Sequence, residues 1–237
     1  IETGSNGYTE RVGKAIAKIL SQADKYDALH SAVSGSLAVF KELKLPFLNH
    51  DKLKMVINYE VEPLLPFAVN DAVIDFIVTK QIPQEGSSEI LVAAIQNQHI
   101  AQHLEYFKQA NANLSVLTVD VFALYGLYLH IDAYAHLATN SLLVDIGFNT
   151  TRISYIQQGQ LRLMRTLPKG VATLAKTVGD LTNNSSGDAL ENIVRFGLSN
   201  DAGPEYADAI NQAMTKFWRE IEFTLTSFNA QTENQPV

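Results

Sequence analysis

Hydrophobic positions change period several times along the chain. From Thr9 to Tyr26 they recur as Val12, Ile16, Ile19 and Leu20, the spacing of one face of an amphipathic helix. Between Leu29 and Leu45 the pattern alternates instead, which predicts two short strands around a Ser34-Gly35-Ser36 turn. Asn49 can cap a helix that carries Leu53, Val56, Ile57 and Val61 on one side, and Pro63 and Pro66 end it. Ala72–Lys80 and Glu89–Gln96 are rich in β-branched residues and read as a strand pair across the polar Pro83-to-Ser88 turn. A helix with Ile100, Leu104 and Phe107 follows, then a strand over Leu114–Asp120 running into an apolar helix, Phe122–Ile131. Leu142–Asp145 reads as a short apolar strand of the parallel, doubly covered kind, and two further strands alternate around Gln157–Gln160. The last third is helical, ending in a long stretch that bears Tyr206, Ile210, Ala213, Phe217, Ile221 and Phe228. Interleaved strands and helices predict a mixed α/β fold with helix-covered sheets. The Pro83–Ser88 turn and the Thr182–Gly187 loop are the only stretches that resemble linkers.

Composition narrows the classes. The 237 residues are 46% hydrophobic and 18% charged, far from the disordered regime, and suffice for one large domain or two small ones. No uncharged apolar run reaches the roughly 18 residues that would span a bilayer, so the chain reads as a soluble globular protein. A formal net charge of −7 without a Lys/Arg cluster argues against nucleic acid as the main partner. The absence of cysteine excludes disulfides, thiolate zinc sites and cysteine nucleophiles, and suits a reducing compartment. Ile1 stands at the start with neither a charged nor an apolar leader after it, and Ala230–Val237 is polar and unpatterned, so the chain reads as an excised piece.

Candidate chemistry concentrates in Leu142-Leu-Val-Asp-Ile-Gly-Phe-Asn-Thr-Thr-Arg-Ile-Ser-Tyr-Ile156. An apolar strand delivers Asp145 to its end, Gly147 permits a tight turn, and Thr150 and Thr151 offer hydroxyls and amides before an antiparallel strand. Such a turn can cradle phosphate on its N–H groups while the aspartate holds Mg²⁺. An ordinary β-hairpin with an aspartate in its turn has the same spacing.

A second set of residues carries a family resemblance. Leu45-Pro-Phe, Lys52-Leu, the run Tyr59-Glu-Val-Glu-Pro-Leu-Leu-Pro-Phe67, and Asp71-Ala-Val-Ile-Asp75-Phe resemble the PilM family of type IV pilus assembly proteins and the related cytoplasmic domain of GspL in type II secretion. Val92-Ala-Ala-Ile, Val119-Asp120-Val-Phe-Ala-Leu and Val144-Asp-Ile-Gly-(x)2-Thr-Thr follow in the family's order, so the likeness runs from about Tyr8 to Phe228. The resemblance implies an actin-like fold with a ribonuclease-H-like core and an added small α/β subdomain, incomplete at both ends. It divides the chain into residues 1–36 as the end of the first actin-like subdomain, 37–110 as the small insertion, and 111–237 as the second lobe, with strands over 114–166 and helices over 171–229.

By the same resemblance Asp145, Gly147, Thr150 and Thr151 match a phosphate loop, with Asp145 reaching Mg²⁺ when ATP binds. Asp120 matches a carboxylate beside the nucleotide, and Gly170 a glycine that closes the cleft. The chain departs from an ATPase pattern elsewhere. Leu190 and Ile193 stand where relatives grip ribose and adenine, and an unpaired ligand polar group costs about 1–3 kcal/mol. Phe148 and Asn149 replace a Gly-Gly pair, and Lys169 replaces a later glycine. The first phosphate loop and the adenosine strand lie outside the chain, so Mg-ATP belongs, if anywhere, to the full-length parent. The expected function is therefore a non-catalytic scaffold at the cytoplasmic face of the inner membrane, with a degenerate nucleotide site. Its implied partners are a cytoplasmic peptide of a bitopic membrane protein or the N-terminal domain of a secretion ATPase. The rival is an active Mg-ATPase, with Asp145 on the metal and Asp120 orienting water.

Other constellations are weaker. His99 and His103 fall one helical turn apart without a third ligand, and read as a solvated helix face. His130 and His136 flank a helix end, and the Glu60/Glu62 pair points in different directions on a helix. Phe217, Trp218, Phe223 and Phe228 read mostly as core, and Pro63–Phe67 as a buried junction or a docking tract.

Overall fold

The computed structural model describes residues 6–23, 25–131 and 140–231, and the chain divides into two compact units, Ile1–Ile131 and Asp132–Val237.

The first unit begins with α1 (Asn6–Gln22) and β1 (His30–Val33), which pairs in parallel with β5 (Val116–Val119). Between them in sequence lie β2 (Ala38–Leu45), α2 (His50–Val61), β3 (Ala72–Ile82), β4 (Ser87–Gln96) and α3 (Asn97–Gln109). These strands form an antiparallel sheet in the order β2-β4-β3. Its central strand is covered on both faces, because alternate residues of a strand point to opposite sides. Ile90 and Val92 turn toward α2 and pack with Leu45, Leu53, Ile57, Val61 and Phe76. Ala93 and Ile95 turn the other way, beside Ile100 and Leu104 of α3.

Local signals set these boundaries. Asn49 Oδ1 accepts hydrogen bonds from the Asp51 and Lys52 amides, at 2.9 and 3.1 Å, and so opens α2. Pro63 follows its last turn. The β3–β4 turn closes on Gly86 at φ 63°, the left-handed conformation that a glycine adopts without strain. Neither this turn nor the 182–187 loop is a linker: the first joins neighbouring strands of one sheet, and the second joins two helices of the second unit. After β5, α4 (Asp120–His130) completes the first unit.

The second unit holds β6 (Asn140–Ile146), β7 (Thr151–Gln157) and β8 (Gln160–Leu167), then α5 (Val171–Thr182), α6 (Ser186–Phe196) and α7 (Pro204–Gln231). Its core joins Ile153 to Leu174, Val178, Ala189, Ile210, Phe217 and Ile221. The run at Leu142–Asp145 departs from the parallel, doubly covered expectation: among the described residues β6 pairs antiparallel with β7, and Leu142 is exposed. The aromatic residues of α7 also divide differently. Phe217 is buried, but Trp218 and Phe223 are 46% and 73% exposed, so these two are not core; the Phe228 side chain lies outside the described residues.

Candidate functional site

The expected phosphate loop is a tight connection between β6 and β7. The Gly147 amide donates to the Thr150 carbonyl at 2.9 Å, and a Cβ on Gly147 would stand 2.9 Å from that same oxygen, so the turn needs a bare backbone there. Asp145 and Arg152 face each other across the ladder, and Arg152 Nη1 donates to Asp145 Oδ2 at 2.5 Å. The Thr151 hydroxyl is fully buried and donates to the Lys169 carbonyl at 2.8 Å.

The start of α5 docks on the same loop. The Val171 and Ala172 amides donate to the Gly147 and Phe148 carbonyls, at 3.0 and 2.9 Å, while the Thr173 and Leu174 amides turn back to Gly170 O. A helix start normally offers such amides to an anion. Here the protein supplies their acceptors. Lys169 forms an ion pair with Glu220 of α7. Phe148 projects outward, 57% exposed, and fills no internal space. Leu190 and Ile193 are half-buried, and Ile193 packs on the core of the unit.

Asp145, Gly147, Thr150, Thr151 and Gly170 are thus brought together in one hairpin-and-helix junction. As placed, the carboxylate, the buried hydroxyl and the first helical amides all have partners within the protein. No group of three or more metal-ligating side chains occurs among the described residues. Asp120 belongs to the first unit, in the first turn of α4, where its Oδ1 accepts the Gly35 amide at 2.8 Å. There it fixes the turn between β1 and β2.

The first unit holds a second feature, which the sequence reading did not single out. A groove of about 470 Å³ opens between the β3–β4 face, α3, β1 and β5. Val73, Ile77, Ala93, Ile95, Leu104 and Phe122 make its walls apolar, and Asp75 puts one carboxylate among them. Asp75 Oδ1 accepts the Phe76 amide at 2.9 Å, and the side chain remains exposed. The alternation Val73, Asp75, Ile77 was the available signal: it places all three on one face of β3. Val73 and Leu104 are 50% and 44% exposed at its rim.

The remaining candidates resolve into structure. His103 Nε2 lies 2.9 Å from Ser31 Oγ, its ring packs on Phe107, and burial pushes its imidazole below the ordinary histidine range. His130 Nδ1 lies 2.8 Å from the Gly126 carbonyl, and His136 lies outside the described residues. Glu60 and Glu62 are exposed. In the Pro63–Phe67 tract Leu65 packs on the α2 core, while Leu64 is exposed. No described helix is long and apolar enough to cross a membrane.

Comparison with known proteins places these features in context. The family described as type IV pilus assembly protein PilM matches residues 4–237. A chain of the "PilM-PilN type IV pilus biogenesis complex" superposes with a TM-score of 0.80 at 20% identity, over 98% of this chain and 67% of that one. More distant likeness, at a TM-score of 0.46 and 12% identity, links 70% of this chain to 60% of the cytoplasmic domain of EpsL, an inner membrane component of the type II secretion system of Vibrio cholerae. The ethanolamine utilization protein EutJ from Carboxydothermus hydrogenoformans matches at a TM-score of 0.45 and 17% identity, over 55% of this chain and 44% of that one.

Proposed function

Because the chain belongs to the family of the type IV pilus assembly protein PilM and has its actin-like fold, we propose that it acts as a non-catalytic scaffold of the pilus assembly platform, holding a short segment of a membrane partner in the groove of its first unit. The groove carries the proposal. A depression of about 470 Å³ with apolar walls and a single carboxylate matches an extended segment that buries aliphatic side chains and presents one basic or N–H-donating group to Asp75. The structural relative from the PilM-PilN type IV pilus biogenesis complex supports a partner of that kind. Such a partner would hold the scaffold at the cytoplasmic face of the inner membrane.

A scaffold of this sort needs no turnover. The internal partners of Asp145, Thr151 and the first α5 amides favour that reading over a Mg-ATPase, which would have to release all of them before binding its substrate. The test is fluorescence anisotropy with a labelled peptide from the cytoplasmic segment of the organism's own PilN-like protein. Binding that saturates and is weakened by Val73→Glu supports the scaffold. Binding untouched by that change places the partner elsewhere.

A further inference from the structure

Arg152 belongs to none of the roles that the loop's resemblance implies, yet it contacts the residue at the centre of them. Its Nη1 lies 2.5 Å from Asp145 Oδ2, and only 19% of its side chain is exposed, against 37% for Asp145. A Cβ built on Gly147 would stand 3.6 Å from the same nitrogen, so the guanidinium lies beside the bare face of the loop's glycine. The pairing follows from register: Asp145 and Arg152 are direct partners across the β6–β7 ladder, and the short 147–150 turn fixes that register.

We infer that Arg152 is a built-in counter-ion that takes the place of a metal at Asp145, so that the loop keeps its shape without nucleotide or divalent cation. A half-covered carboxylate needs compensating positive charge, and here the chain supplies it covalently. A divalent ion approaching Asp145 would meet the guanidinium's charge at short range and in partly excluded solvent, where like charges repel strongly. Arginine stays protonated throughout the physiological range, so the guanidinium keeps its charge there. The other anion-binding groups are closed in the same manner, by the Gly147 and Phe148 carbonyls on α5 and by Lys169 O on Thr151. The inference rests on the scaffold reading and gives it a cause: the loop is always set, so partner binding has no nucleotide state to follow.

Hydrogen exchange of the amides in 145–152, measured on the whole chain, tests this. In the wild type, millimolar Mg²⁺ or Mg-ATP should leave exchange unchanged within about twofold; Arg152→Gln should speed it about tenfold or more, and Asp145→Asn added to that variant should restore part of the loss by removing the unpaired carboxylate. Mg-ATP protection of the wild-type loop that Asp145→Asn abolishes would overturn the inference, and so would an Arg152→Gln loop as slow as wild type. The wild-type arm needs no variant to fold. Groove binding of the partner peptide is read separately, so its failure would sink the scaffold reading and leave these exchange results interpretable.

Discussion

A Cβ placed on Gly170 would lie 2.2 Å from the carbonyl oxygen of Gly147, and the amide of Val171, the next residue, donates to that same oxygen at 3.0 Å. The hairpin loop and the start of α5 are therefore one docked unit, with glycine at the point where two backbones meet. Gly170 itself is extended, so the need is for space and not for an unusual dihedral.

Gly170→Ala is expected to destabilise the second unit by about 3 kcal/mol, since the obstacles are backbone atoms that no rotamer change can move. The Gly147→Ala change meets its nearest atom at 2.9 Å and should cost less. Urea midpoints at constant slope measure both.

In the first unit, the two faces of α2 make opposite predictions. Leu53 is fully buried against the sheet, and Leu53→Ala should cost about 2–5 kcal/mol. Met55 on the same helix is 76% exposed, and Met55→Ala should stay within about 0.5 kcal/mol of wild type. Asn49→Ala removes the acceptor of two helical amides and should cost about 1 kcal/mol. Equilibrium unfolding orders the three.

These α2 positions also show what was legible in advance. The cap at Asn49, the stop at Pro63 and the period of Leu53, Ile57 and Val61 are local signals, and each appears in the structure where the sequence puts it. The strand pair β3–β4 was equally plain, because its β-branched composition and its turn chemistry agree. Less local features were not. A short apolar run such as Leu142–Asp145 does not say whether its neighbour is parallel or antiparallel, and the β6–β7 ladder depends on the turn that follows. Trp218 and Phe223 look like core by composition, yet both are exposed, Trp218 meeting buried Phe217 only edge-on at the margin of the core. The loop residues Asp145, Gly147, Thr150 and Thr151 were found as a group, but their partners, Arg152 and the Lys169 carbonyl, emerge only from cross-strand register and the approach of α5. The groove needed three-dimensional assembly from β1, β3, β4, β5, α3 and α4, which no local pattern announces.

His103 gives stability a pH dependence. Burial lowers its pKa in the folded state, so as pH falls the unfolded chain takes up the proton first. The contribution is whole above the unfolded value of about 6.5 and is lost as pH falls through that value toward the folded one. The thermal midpoint should therefore decline between about pH 7 and about pH 5, and His103→Gln should show a smaller decline over the same window. A wild-type profile with no more slope than that of the variant would remove His103 from this role.

The scaffold claim is tested most directly by the affinity of the labelled membrane-partner peptide for the wild type and for groove variants. Val73→Glu and Leu104→Glu alter exposed rim positions and should each weaken binding about tenfold or more without changing the circular dichroism spectrum. Asp75→Lys should weaken it as well, and a peptide whose basic residue is changed to glutamate should recover affinity for that variant alone. Equal affinity of the original peptide for the wild type and all three variants would contradict the account.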